Sequence, residues 1–179
     1  SAYGDSSNQI SAALAHQAYR TDEFLRFRKP LREARKIIVR SRSEESACYQ
    51  IQDKENLPAG IPREQYLSLP GHKVAFGNPP THIFIVHGPE NWSVGNYLEL
   101  KRKRTVGRSL DDYEKDVDYQ LFVNKRYATN WLEGLYEEGC KMHGGKVPEI
   151  TRFDIYHSKE QTIEEMTQKI REILIKSLS

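Results

Sequence analysis

Between Asn56 and Pro80 the chain places Pro58, Gly60, Pro62, Pro70, Gly71, Gly77, Pro79 and Pro80. Proline removes a backbone donor and fixes φ, and glycine loosens the backbone, so this density argues against a regular helix or a central strand. An extended connector is predicted. It also carries Ile61, Tyr66, Leu67, Leu69, Val74 and Phe76, more apolar surface than a free linker needs, so it should lie along a surface. The connector divides the chain into residues 1–80, an extended basic arm with short helices, 81–157, a small α+β domain, and 158–179, an amphipathic helix.

The charge balance excludes a uniformly basic tail, because 27 Lys and Arg meet 25 Asp and Glu. Aromatic residues make up 10%, which argues against disorder along the whole chain despite a mean hydropathy of -0.73. The longest apolar runs, at Ile37 and Ile83, are strand-sized and far short of the ~18 residues a membrane helix needs. Cys48 and Cys140 are the only cysteines, too few for a disulfide scaffold or a structural zinc site. The chain opens at Ser1-Ala2 without a methionine, which fits removal of a leader or an engineered start.

The cations concentrate between Arg20 and Arg42, where nine Lys and Arg face only Asp22, Glu23 and Glu33. Phe24, Leu25, Phe27, Leu31, Ile37 and Ile38 are interleaved with them. Such a segment can hold apolar surface while presenting guanidinium groups to an acidic neighbour. Arg26, Arg28, Arg32, Arg35 and Arg40 are the candidate partner-binding cations, and Phe24, Phe27, Tyr66 and Trp92 the candidate apolar anchors. The alternative is a solvated helix face. Upstream, Ile10, Leu14 and Ala18 would share one side of a short helix.

Beyond the connector, strands are predicted at Thr81 to Val86, Tyr97 to Leu100, Gln120 to Val123 and Ile150 to Tyr156, the last with Phe153 and Ile155 inward. A helix carrying Trp131, Leu132, Leu135 and Tyr136 should start at Thr129 or Asn130 and stop at Gly144-Gly145. A final helix is expected from Ser158 or Thr162, where Glu165 completes capping-box spacing, with Ile163, Met166, Ile170, Ile173 and Leu174 in one stripe. Alternating strands and helices of this size suggest a small α+β sandwich of the ferredoxin-like, split βαβ kind.

Catalytic constellations are sparse, and no catalytic or metal-binding residue is assigned. None of the histidines has ligand spacing, and His82 and His87 should point to opposite faces of their strand. Glu99 and Lys101 on a strand would resemble the end of a metal-dependent nuclease site, with Asp111, Asp112, Asp116 or Asp118 supplying a further ligand. Cys140 would be reactive only with a base nearby, and His143 is the candidate. A nucleic-acid-binding or ribosome-associated protein could use the basic arm and Lys101 to Arg104, but no stacking motif of an RNA-binding sheet is present.

Phe122-Val123, Arg126-Tyr127, Trp131, then Met142-His143-Gly144-Gly145-Lys146-Val147 and Ile150 form an ordered series. It resembles the small linker domain of phycobilisomes, found in the allophycocyanin core linker and the phycocyanin rod-capping linker. The likeness covers Thr81 to Tyr156 and is sharpest at Gly144-Gly145-Lys146-Val147. The acidic stretch before Phe122, Pro148 in the terminal strand and the extra C-terminal helix depart from the family pattern.

The resemblance implies a non-enzymatic linker on the stromal side of the thylakoid of a chloroplast, or in a cyanobacterial cytoplasm, docked in acidic ring-shaped phycobiliprotein assemblies. Trp92 and Tyr127 would then lie near partner chromophores. No cofactor is expected, although pigmented linkers carry a bilin, for which Cys48 or Cys140 would be the only thiols.

Overall fold

The computed structural model describes residues 6–41, 44–52, 60–104, 115–154 and 159–178. Helices dominate, with short strands, so the chain belongs to the broad α+β class. The strands pair in two separate two-stranded parallel ladders. The chain forms two compact units, Ser1–Thr81 with Leu132–Pro148, and His82–Trp131 with Glu149–Ser179. This division differs from the one expected at residues 80 and 157, because a helix from the later sequence completes the N-terminal unit. Among the described residues no helix is long and apolar enough to cross a membrane.

In the first unit, α1 (Ser6–Glu23) runs into a π-helical turn (Phe24–Arg28) and α2 (Lys29–Glu33). Its buried face is Ala13, Gln17 and Phe24, not the predicted side with Leu14, which is exposed. A 3-10 turn (Glu44–Tyr49) leads into β1 (Ile51–Gln52), which pairs with β2 (Ile61–Pro62). The expected extended connector is instead two short helices, α3 (Arg63–Ser68) and α4 (His72–Gly77). Pro62 sits at the N-cap of α3, while Pro70 and Gly71 fall between the helices, so these residues punctuate helix ends rather than interrupt them.

Tyr66, Leu67 and Phe76 of α3 and α4 are buried, as are Leu132, Leu135, Tyr136 and Cys140 of α7 (Trp131–His143), and the Phe76 ring meets that of Tyr136 edge to face at 5.5 Å. Each of the leucines and Phe76 contributes about 1.5–3 kcal/mol on burial. The predicted stop at the glycine pair is observed. Gly144 adopts φ +78, and the N–H groups of Gly144 and Gly145 both bond the Cys140 carbonyl, at 2.8 and 3.1 Å. Gly145 permits a close approach, since a Cβ there would lie 1.8 Å from the Phe76 carbonyl oxygen.

In the second unit, β3 (His82–His87) and β4 (Glu149–Asp154) pair parallel and in register, from His82 with Glu149 to His87 with Asp154. Ile83, Ile85 and Phe153 are buried between the sheet and its helices. The stretch predicted as a strand at Tyr97 to Leu100 lies within α5 (Val94–Arg104), and Gln120 to Val123 lies within α6 (Val117–Ala128). Asp116 sets the start of α6, its side chain accepting the Tyr119 N–H at 2.9 Å. Arg152 of β4 bonds the carbonyls of Tyr127 and Thr129 at 2.7 and 2.6 Å, tying the helix C-terminus to the sheet.

The C-terminal helix α8 (Lys159–Leu178) begins before Thr162, which is buried inside it rather than capping it. Ser158, Ile155 and Tyr156 lie outside the described residues. The apolar stripe of α8 is partly covered, with Ile163 and Ile170 exposed and Met166, Ile173 and Leu174 half-buried. A cleft of about 790 Å³ opens between α8 and β4, lined by Thr151, Phe153, Gln161, Glu165 and Gln168 among others.

Candidate functional site

Parallel strands joined through helices open their carboxyl ends on one side, where ligands of α/β sheets bind. At that end of β3 the chain turns at Gly88, and α6 fixes the turn. Asn124 Oδ1 accepts the Gly88 N–H at 2.8 Å, while Asn124 Nδ2 donates to the carbonyls of Gly88 at 3.3 Å and Pro89 at 2.9 Å. The indole of Trp92 lies against Gly88 so closely that a Cβ there would be 2.2 Å from the ring. Ser93 caps α5, its hydroxyl accepting the Asn96 N–H at 3.1 Å.

Trp92 meets Tyr97 edge to face at 5.8 Å, and the Lys101 ammonium sits 5.1 Å over the Tyr97 ring. The result is an aromatic pair with a cation one helical turn on. The Trp92 Nε1 is buried and has no hydrogen-bond partner among the described residues, whereas buried indole N–H groups ordinarily find one. Asp154, at the end of β4, is in register with His87, whose Nδ1 lies 2.7 Å from the Gly88 carbonyl.

The first unit holds a second polar group, closed within the core. Arg20 meets Glu44 at 2.8 Å, Gln17 Nε2 lies 2.6 Å from His72 Nε2, and Gln17 Oε1 accepts the Gly71 N–H at 3.0 Å. Because Gln17 uses its oxygen on Gly71, its amide nitrogen donates to His72, which makes Nε2 the acceptor and leaves the ring proton on Nδ1, 3.8 Å from Glu44. Burial, then the Arg20 guanidinium and His143, hold the His72 pKa down to about 3. Burial and the Glu44 carboxylate raise that of Tyr66, whose ring lies 4.3 Å from His72. His72 has 0% exposure and Glu44 2%. The group therefore braces α1, the 44–49 turn and α4 rather than facing a ligand.

The other predicted residues fall as follows. Phe24 is buried beneath the Arg28 guanidinium at 5.2 Å, and Tyr66 is a core residue, so neither is a surface anchor. Phe27 is 62% exposed. Arg26 pairs with Asp22 at 2.7 Å, Arg40 with Glu23 at 3.0 Å, and Arg28 approaches Glu23 at 3.9 Å, so these arginines are matched within the chain. Arg32 donates to the Asn78 carbonyl at 3.3 Å.

Phe122, Arg126 and Trp131, part of the linker-like series, form a stack. The buried Arg126 guanidinium lies 4.2 Å from the Phe122 centroid and 4.5 Å from that of Trp131. Tyr127 is half-buried and serves through its carbonyl. Lys146 and Val147 are exposed beyond the glycine pair.

The nuclease geometry is not formed. Glu99 and Lys101 sit on a helix, where residues two apart face different ways, and Asp116 is engaged as a cap. Asp111 and Asp112 lie outside the described residues. Among the described residues no three His, Cys, Asp or Glu side chains converge on a metal position. Cys48 and Cys140 form no disulfide and are buried, and burial pushes the Cys140 thiol up. His143 Nε2 is engaged at 3.1 Å with the Leu67 carbonyl, so it does not activate that thiol.

Sequence reasoning singled out Trp92 and Lys101 but missed Tyr97, Asn124, Gln17 and Glu44 as members of these groups. Only Gly88, just past an apolar strand, hinted at a close approach. No protein-family model matches the chain, and neither a curated protein nor a solved structure matches it.

Proposed function

We propose that the chain binds a nucleotide, or a related phosphorylated planar small molecule, at the carboxyl ends of β3 and β4. The observation that carries this reading is the buried Trp92 Nε1 donor, without a partner among the described residues, beside Tyr97 and Lys101 at the carboxyl end of a parallel strand. A flat base would stack on the aromatic pair, Lys101 would meet the phosphate, and opening of the Gly88 turn would bring the buried indole N–H to a ring or phosphate acceptor. The choice of a nucleotide is a fold-level analogy, since crevices at the ends of parallel strands are the common site for such ligands. The function is binding, with no catalytic group assigned.

Isothermal titration of the full chain with ATP, UMP and inorganic phosphate tests it. Saturable binding of a nucleotide, weakened about tenfold or more by Lys101→Ala and by Trp92→Ala, supports the reading; the absence of heat with every probe at ~5 mM, far above ordinary ligand affinities, refutes it.

A second reading keeps the chain as a non-enzymatic phycobilisome linker in the plastid. The exposed apolar and cationic stretch of residues 25–37 favours it, as partner docking requires such a surface. For the fold, the ferredoxin-like arrangement is the finer proposal. Its support is the mixture of helices with short strands; the directly paired parallel β3 and β4 form an unsplit βαβ crossover, whereas that topology places another strand between its parallel pair.

A further inference from the structure

From the π-helical turn through α2 the chain is exposed almost all round. Leu25 is 54% exposed, Phe27 62%, Leu31 42% and Ile37 62%. A surface helix turns its apolar residues toward a core, and here only Phe24 does so. Lys29, Arg35 and Lys36, interleaved with those apolar residues, have no carboxylate partner among the described residues, and Arg32 meets only a backbone carbonyl. Arg26 and Arg28, the cations of this stretch nearest α1, are in contrast matched by Asp22 and Glu23, and Glu23 also meets Arg40 beyond the stretch.

Backbone geometry adds a separate observation. Arg35 has φ 52, and the N–H groups of Arg35 and Lys36 bond the carbonyls of Arg32 and Leu31 at 2.9 and 2.8 Å. This is the Schellman ending of a helix, whose left-handed position glycine fills at least cost. An arginine there costs about 1 kcal/mol in backbone conformation, and such strain concentrates where a side chain has work to do.

We infer that residues 25–37 are a docking surface for an acidic protein partner, one presenting carboxylates around an apolar row. The cations set the sign of the partner. The aliphatic side chains set its class, since Leu25, Leu31 and Ile37 would bury against protein, whereas a nucleic acid offers phosphates and base edges and favours a more polar surface. The proposal deepens the linker reading by naming what the partner must display, and it stands apart from the nucleotide site in the other unit.

The test uses the full chain and three probes: a synthetic helical peptide with Leu on one face and Glu on the other, poly-glutamate, and poly-uridine RNA. Binding is read by fluorescence anisotropy at about 100 mM salt, where charges alone are screened beyond ~10 Å. The Leu/Glu peptide should bind saturably and more tightly than either other probe. The combined Arg32→Glu, Arg35→Glu, Lys36→Glu variant and the combined Phe27→Ser, Leu31→Ser variant should each lose about tenfold or more, as hot-spot residues do.

Both variants change exposed residues, and unchanged circular dichroism and thermal midpoint identify folded protein. Failure of the peptide to bind the parent chain, equal binding of RNA, or loss on charge reversal without loss on Phe27→Ser, Leu31→Ser overturns the proposal. Nucleotide titration of the same variants keeps the two readings separate, because losing peptide binding should leave it unchanged.

Discussion

Lowering the pH should unfold this chain partly through one histidine. His72 is fully buried, accepts a hydrogen bond from Gln17, and has its pKa held to about 3. In the unfolded chain it returns to about 6.5. Its folded pKa is thus depressed, so the unfolded state takes up a proton that the native state refuses, and stability falls as pH drops below about 6.5. Between pH 7 and pH 5 this single site removes about 2 kcal/mol from the unfolding free energy.

Urea unfolding followed by circular dichroism at pH 7, 6 and 5 measures it, with His72→Gln as the comparison. The variant will be less stable overall, but its loss between pH 7 and 5 should be smaller than the parent's by about that 2 kcal/mol. Equal pH slopes in parent and variant would mean that His72 titrates normally in the fold. The assignment of its Nε2 as an acceptor would then be wrong.

Other expectations follow from local geometry. Gly145→Ala would put a methyl 1.8 Å from the Phe76 carbonyl oxygen, so it should lower stability by about 2 kcal/mol or more in urea unfolding, through forced separation of α4 and α7. Gly144→Ala has open space but a positive φ, and should cost only about 1 kcal/mol. Arg35→Gly should raise stability by up to about 1 kcal/mol while weakening capture of the Leu/Glu peptide, a split between fold and function that a purely structural arginine would not give. Both thiols should resist modification in the native protein and react within minutes after unfolding, as read by a chromogenic disulfide; rapid native labelling would contradict their burial.

Where the sequence was readable, a single local signal sufficed. The apolar run at Ile83 to Val86, the alternation before Phe153, the long stripe after Ile163 and the stop at Gly144-Gly145 all correspond to elements of the right kind. The two false strands, at Tyr97 to Leu100 and Gln120 to Val123, are short apolar runs whose length cannot separate strand from helix. Asp116, three residues before Tyr119, carried the helix-start signal for α6. In the connector, proline density alone points away from helix, whereas proline position decides. Pro62 precedes the first turn of α3 and Pro70 follows its last, which is where helices tolerate proline.

The site was less accessible to sequence reasoning than the fold. Trp92 stood out as a rare residue, but its position against Gly88 depends on Asn124, which is far along the chain and marked by no motif. Gln17, Glu44 and His72 likewise meet only through tertiary packing, and nothing in their spacing announces it. The five arginines looked equivalent in sequence, yet three are matched by Asp22 and Glu23 while Arg35 occupies a strained helix end.

The most direct test of the nucleotide reading is the fluorescence of Trp92 in a Trp131→Phe background, where it is the sole indole. Titration with ATP and UMP should quench or shift its emission saturably, with Tyr97→Ala and Lys101→Ala moving the midpoint to higher concentration. Emission unchanged up to ~5 mM of either nucleotide, with inorganic phosphate equally silent, would contradict a ligand site at the carboxyl end of β3.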